Sequence, residues 1–373
     1  MRTQTPLQYL APGWFSVVMG LAGLALAWQA SVPVLGESST GVALVVGALA
    51  AVALVVLLVL SVWRAVRHPK ALDEDLRHPV RHAFVAALPV ALLLVVALAA
   101  GLGVQGLWLD GMWWLGALGQ LWATVWVLKR WLVATPVPAP APVASPSAAV
   151  ANLQGLIQSA MVSPAPASPS VAKPAPSMPS FWPSVTPVLF IPVVGNVVAP
   201  MAGLALGYPV WSAAQLGMGL LLWPVVLGLL LVRRAVQGPL PDRLLPTWFI
   251  TVAPPSVIGL VALVLQAPLP VVAGLWGMAL FFLLWAGSIA QQAVNQPFSL
   301  TFWAVSFPLA AFTSLTFKLG VLAASAGLQQ AGTLLLALTS LVVFGLCLAT
   351  VRGLREGSLL APEPVAAIVP VSA

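Results

Sequence analysis

The chain has 373 residues, 61% of them hydrophobic and only 6% charged, against roughly 25% charged in an ordinary soluble domain. Fifteen Lys/Arg, eight Asp/Glu and three His are too few to clothe a water-soluble enzyme of this size, and the apolar excess excludes a disordered chain. A net charge of +7 raises the question of nucleic acid, but the cations sit between apolar runs rather than in one patch, which suits anionic membrane lipids instead.

Ten apolar runs are long enough to read as helices across a bilayer. They are 13–30, 42–66, 83–104, 112–132, 188–206, 211–232, 247–266, 271–291, 298–319 and 332–351. No short alternating strands of a β-barrel interrupt them. The first run follows Arg2, as a signal peptide would, but it is long, opens on Pro12-Gly13 and lacks a small-x-small cleavage site. Between the fourth and fifth runs lies a stretch rich in Pro, Ala, Ser and Val, 135–187, where proline density forbids a helix and favours an extended linker. Within it, 148–161 is a candidate short interfacial helix. The expected organisation is helices one to four in 1–134, a mostly disordered cytoplasmic insertion at 135–187, helices five to ten in 188–355 and a C-terminal tail at 356–373, all helices forming one membrane domain.

Basic residues test the count. Arg2, the cluster from Arg64 to Arg81, Lys129, Arg130, Lys173, Arg233, Arg234, Arg243, Arg352 and Arg355 all fall on one side if there are ten spans, and Lys318 alone falls toward the other. The positive-inside rule then places both termini in the cytoplasm, with the protein integral to the cytoplasmic (inner) membrane.

Prolines mark alternate helices. Pro12 opens helix one, Pro89 lies in helix three, Pro192 and Pro200 in five, Pro254 and Pro255 in seven, and Pro308 in nine; of the even helices only the sixth holds one, Pro224. Proline removes a backbone donor and kinks a helix, and in lipid the freed carbonyl must find a partner in protein or cavity water. The alternation suggests five helical hairpins, odd members inside and even members outside. On helix one, Gly13, Ser16, Gly20 and Gly23 share a face, which serves either close packing or the wall of a pore.

Ionisable groups are nearly missing from the spans: Asp110 and Lys318 lie toward their outer ends. The lack of a mid-membrane Asp, Glu or His favours a channel or uniporter over a carboxylate-coupled symporter. His68, His78 and His82 all precede helix three and lack metal-site spacing; the single Cys347 excludes a disulfide framework. There is no catalytic constellation and no phosphate loop, so neither an enzyme nor an ATP-driven pump is expected, and no metal or cofactor.

Six motifs in order, PGWFSVVMGLAGLALAW (12–28), RHPVRHAF (77–84), GALGQLW (116–122), FIPVVGNVVAPMAG (190–203), PLPDRLLPTWFITVAPPSVIGL (239–260) and FWAVSFPLAAFTS (302–314), resemble the tellurite-resistance/dicarboxylate transporter family, which includes the plant slow anion channels. The resemblance implies an all-α protein of ten transmembrane helices, five hairpins in a quasi-five-fold arrangement around a central pore, and a homotrimer with one pore per protomer. It also implies a phenylalanine plug from helix nine, here Phe307, which spacing alone reads as core packing. A small residue of helix one is implied beside that ring; the match is Ser16, where relatives carry glycine.

The further pore-lining candidates are Gly13, Gly20, Pro89, Asn196, Pro255 and Pro308, with Asn196 equally suited to an interhelical hydrogen bond. Arg81, Arg243 and Lys318 are candidates for drawing anions to the mouths, or else simple orientation signals. The expected activity is passive movement of small anions through a phenylalanine-gated pore. The alternatives are a proton-linked carrier of four-carbon dicarboxylates, sulfite or tellurite, and a non-conducting scaffold or sensor.

Overall fold

The computed structural model describes residues 6–132 and 182–361, and every regular element among them is helical. Contacts divide the chain into Met1–Lys129 with Trp182–Ala373, and a second unit, Arg130–Phe181. Of the second unit only 130–132, the end of a helix, is described, so the expected helix at 148–161 and most of the 135–187 insertion lie outside the described residues.

Among the described residues eight segments are long and apolar enough to cross a membrane: α1 (Pro12–Ala30), α2 (Ser38–Arg67), α3 (Arg81–Gly101), α6 (Pro209–Gln237), α7 (Asp242–Val264), α8 (Leu269–Gly287), α9 (Leu300–Leu322) and α10 (Ala326–Arg355). Between α3 and α6 come α4 (Leu107–Leu132) and α5 (Pro187–Gly203). The count of ten full spans thus meets two exceptions. α4 has the length, but its tryptophans, glycines and Gln120 dilute its apolar character. α5 is short and broken into four pieces, 3-10 at Pro187–Leu189, α at Phe190–Val194, 3-10 again at Gly195–Val198, and α at Pro200–Gly203.

Burial alternates along the chain. In α1, α3, α7 and α9 some 61–83% of the apolar stretch is buried, whereas in α2, α6, α8 and α10 the share is 22–28%. Residues 185–200, covering most of α5, are buried without exception. The outer helices bury one stripe and expose the rest. On α10 the buried positions are Gly332, Leu336, Thr339, Val343, Leu346, Thr350 and Gly353, alternately four and three apart, so they form one seam along the helix. The opposite face presents Leu334, Leu341, Phe344 and Leu348 to the surroundings. An apolar face turned outward and small or polar residues turned inward is the reverse of a soluble helix, and it fits lipid. Hydrogen bonds join the layers: Trp303 Nε1 donates to Thr350 Oγ1 at 2.9 Å, Trp28 Nε1 to Ser340 Oγ at 3.2 Å, and the Thr313 and Thr339 hydroxyls pair at 3.0 Å. In a membrane protein each contributes about 0.6 kcal/mol, enough to set the rotation of α10 without dominating its packing.

The buried segments begin differently from the exposed ones. A 3-10 turn leads into each: Pro12–Trp14 before α1 proper, Arg81–Ala86 in α3, Pro187–Leu189 in α5, Asp242–Val252 in α7 and Leu300–Val305 in α9. The α-helical parts start at Phe15, Ala87, Phe190, Ala253 and Ser306. In four of the five, the third α-helical residue is proline: Pro89, Pro192, Pro255 and Pro308. Lacking an N–H, each cannot bond the carbonyl four residues back (Val85, Val188, Thr251, Ala304), and its ring crowds that carbonyl. The preceding turn therefore tightens to i→i+3 bonding. The prolines act as junctions between two windings rather than as mid-helix kinks, a register that the sequence carries as an internal repeat.

Contacts among the buried segments close on themselves. α1 packs on α3 and α9, α9 on α7, α7 on α5, and α5 on α3.

Candidate functional site

A cavity of about 60 Å³ lies among all five buried segments. Its wall includes Ser16 and Met19 of α1, Phe84 and Val90 of α3, Ile191 and Val194 of α5, Ile250, Pro254 and Val257 of α7, and Trp303, Phe307 and Pro308 of α9. The residue just before the junction proline recurs there in three of the four cases, Ile191, Pro254 and Phe307, with Ser16 in the matching register of α1; Leu88, before Pro89, is not in the wall. Phe307 alone brings an aromatic ring at that register and is 6% exposed. The wall carries no titratable side chain, only apolar groups with Ser16, Thr301 and Trp303. The Ser16 hydroxyl donates to its own Gly13 carbonyl at 2.7 Å, and Trp303 donates to Thr350, so neither donor is free for a passing ion. The cavity holds a few waters by volume and is narrow and apolar enough to resist a hydrated ion.

Beside it lies a vestibule of about 490 Å³. Phe84, Leu300 and Thr301 line both spaces. The vestibule adds polar and charged groups to a partly apolar wall that includes Gln8, Tyr9, Gly13, Trp14, Arg64, Glu74, Asp75, His78 and Arg81, with Leu359 and Ala361 from beyond α10. Asp75, 2% exposed, is shared by two guanidinium groups: Arg64 Nη2 meets Oδ2 at 2.7 Å and Arg81 Nη1 meets Oδ1 at 2.8 Å. It stands on the short helix Pro69–Arg77 and so ties the end of α2 to the start of α3. Arg64 also donates to the carbonyls of Gln8 and Ala71. Arg64 and Asp75 form the buried part of this trio, and removing either of them leaves charge uncompensated at a cost of about 3–5 kcal/mol.

His78 Nδ1 accepts from the backbone N–H groups of Val80 and Arg81, each at 3.1 Å, and fixes the turn into α3. Burial, then the Arg81 charge, then His82, lower its pKa from 6.5 to about 4. The imidazole is neutral at neutral pH. Because the folded pKa lies below the unfolded one, the unfolded chain takes up the proton first as pH falls, and stability drops from about pH 6.5 toward 4. His78→Asn keeps an acceptor and removes the titration. Its melting temperature is expected to vary less with pH across that window than the wild type's, as read by thermal unfolding in detergent; equal pH dependence would dismiss His78 as the source.

The other candidates are placed as follows. Pro308 is in the cavity wall and Gly13 in the vestibule wall, where Gly13 faces the Phe84 ring. Gly20 packs against α9: a Cβ there would stand 2.7 Å from Trp303 Cε3. Pro89 packs against Gly119 of α4. Pro255 is not in either wall; its neighbour Pro254 is. Asn196 is fully buried and outside the cavity lining, its amide donating to Thr124 Oγ1 at 2.8 Å. With Gln120, whose Nε2 donates to the carbonyls of Ile191 and Pro192, and Thr124, which donates to Pro192 O, it belongs to the bridge between α4 and the broken α5. Side chains of α4 thereby serve carbonyls at the break in α5, Ile191 O also taking the Gly195 N–H. Arg81 lines the vestibule already paired with Asp75. Arg243 and Lys318 line neither space; Lys318 is the single exposed residue within 306–320.

One contact was not anticipated. The small residue of α1 that abuts the Phe307 ring is Gly23, whose Cβ position lies 3.0 Å from Cδ2. Ser16 shares the same cavity wall farther along. The cue was present in the sequence, since Gly23 ends the spaced series Gly13, Ser16, Gly20.

Comparison with known proteins places the geometry in a family. Residues 9–351 match the family described as voltage-dependent anion channel (SLAC1). Two proteins of Methanocaldococcus jannaschii, each described as an uncharacterized transporter, are similar to the chain. One is 24% identical over 335 residues, covering 83% of this chain and 83% of the relative. The other is 23% identical over 341 residues, covering 84% of this chain and 85% of its own length.

Proposed function

The chain belongs to the voltage-dependent anion channel family, and from that premise we propose that it is a passive channel or transporter for small anions with Phe307 as the gate. In this reading the ten helical segments are five hairpins in quasi-five-fold array, forming one membrane domain, with 135–187 inserted on the cytoplasmic side. Both termini face the cytoplasm across the cytoplasmic membrane, and three copies assemble with a pore in each.

The observation that carries the reading is the cavity wall: every buried segment contributes to it, and a single aromatic ring, Phe307, occupies the register that precedes the junction proline. A bulky ring across an apolar constriction blocks by size and by excluding water. An anion pathway without buried cations is electrostatically workable, because helix ends and backbone N–H groups supply partial positive charge. A wall devoid of titratable groups offers no proton relay, which favours gradient-driven flux over proton coupling.

The test is flux in proteoliposomes under imposed gradients, with chloride, nitrate and succinate substituted in turn. Flux is expected to follow each permeant anion's own electrochemical gradient and to ignore an imposed pH difference. Uptake driven by pH alone would establish the proton-linked carrier instead. No anion flux from wild type or from a folded Phe307 variant would leave the non-conducting scaffold.

A further inference from the structure

The vestibule contains a carboxylate in the position where an anion would be expected. Asp75 is buried, and each of its oxygens takes one arginine. The two arginines differ in what they have left to offer. Arg64 is 5% exposed in its side chain and is committed to Gln8, Ala71 and Asp75. Arg81 is 33% exposed, makes one side-chain hydrogen bond, to Asp75 Oδ1, and its Nε is buried without a partner. A guanidinium presents five N–H donors in a fixed fork, so most of Arg81's capacity is unspent. It lies one 3-10 turn before Phe84, the residue shared by the vestibule and the apolar cavity.

We propose that Arg81 is the docking station for an anion about to pass the constriction, and that Asp75 is a competitor built into the chain. This rests on the anion-channel reading above. An arriving small monovalent anion takes the place of Asp75 Oδ1 on Arg81, while Asp75 stays bound to Arg64. No covalent step is involved. The chain's own carboxylate keeps the station from holding its ligand tightly: Arg64 and Arg81 are balanced by Glu74 and Asp75 in the same wall. Conduction needs this compromise, since a site that binds too well does not release. Without Asp75 the station would bear an uncompensated positive charge and retain the ion.

The probe is chloride, and the variants are built on Phe307→Ala so that the ring does not limit current. In a planar bilayer, chloride is titrated separately on each side and the half-saturating concentration is read. A unit charge within a few ångströms of a wet site, screened by about 0.1 M salt, shifts affinity about threefold. Asp75→Asn is therefore expected to lower the vestibule-side half-saturation about threefold, and Arg81→Gln to raise it by a similar factor. The opposite side is expected to be unmoved by either. Arg81→Gln leaves the Arg64–Asp75 pair intact, so it tests the station even if Asp75→Asn does not fold. A folded Arg81→Gln protein with unchanged half-saturation on both sides overturns the proposal while the channel reading stands. If Phe307→Ala itself passes no anion, the channel reading fails. The station is then tested by thermal unfolding: chloride stabilising the parent but not Arg81→Gln retains it, and equal stabilisation of both rejects it.

Discussion

Phe307→Ala is expected to raise anion conductance by on the order of tenfold or more, since each 1.4 kcal/mol taken from a barrier is a factor of ten in rate. The leverage comes from the cavity: about 60 Å³ of apolar space offers an ion little water and no formal charge. Removing the ring widens that space at its one aromatic side chain in the junction register. Truncating a fully packed phenylalanine costs about 3–5 kcal/mol of stability. The cost here is expected at or below the lower end, because one face of the ring already borders a void. Current in planar bilayers and thermal unfolding of the same preparation check both halves. A folded variant with wild-type current and a stability loss in the full core range would return Phe307 to a packing role.

Gly20→Ala is expected to act in the opposite way, on stability rather than current. Its new Cβ would meet the Trp303 ring at 2.7 Å and the Ser306 hydroxyl closer still. Trp303 is 1% exposed and hydrogen bonded to Thr350, so it has nowhere to retreat. Overpacking of this kind costs about 1–3 kcal/mol. Thermal unfolding checks the loss, and a larger side chain such as leucine should prevent isolation of folded protein. If Gly20→Ala were instead fully stable but conducted poorly, the glycine would be lining the passage rather than seating α1 on α9.

Much of the helical plan was legible from runs of apolar residues, and the family from six short motifs. The limits are instructive at particular positions. The sequence marks Pro89, Pro192, Pro255 and Pro308 plainly, yet reading them as kinks missed that each is the third residue after a 3-10 turn. Periodicity is blind to that difference, since a few residues at 3.0 or 3.6 per turn drift too little to separate. α4 was drawn five residues short at its start because Trp108 and Asp110 dilute the apolar signal. Asn196 was recognised as the conspicuous polar residue, but its partner Thr124 lies 72 positions away, across the insertion. The Arg64–Asp75–Arg81 trio was the least visible feature. Its members appear in sequence as orientation charges, and only the turn at His68–Pro69 folds the intervening helix back to pair them.

The change of winding has an electrical consequence. A 3-10 helix is slimmer than an α-helix and rises about 2.0 Å per residue against 1.5 Å; the leading turns of α1, α3 and α9 wall the wide vestibule, while the tight cavity is walled by leading-turn and α-helical residues together. The inner segments' contributions to the vestibule, Gly13, Trp14, Arg81, Phe84, Leu300 and Thr301, all come from those leading turns. In a conductor of uneven bore the voltage falls across the narrow length, at about 2.3 kcal/mol per charge for each 100 mV. In the proposed pore Arg81 and Asp75 would therefore sit close to the potential of the adjoining solution and Phe307 within the drop, so an applied voltage would act on whatever crosses the ring and hardly at all on what gathers before it.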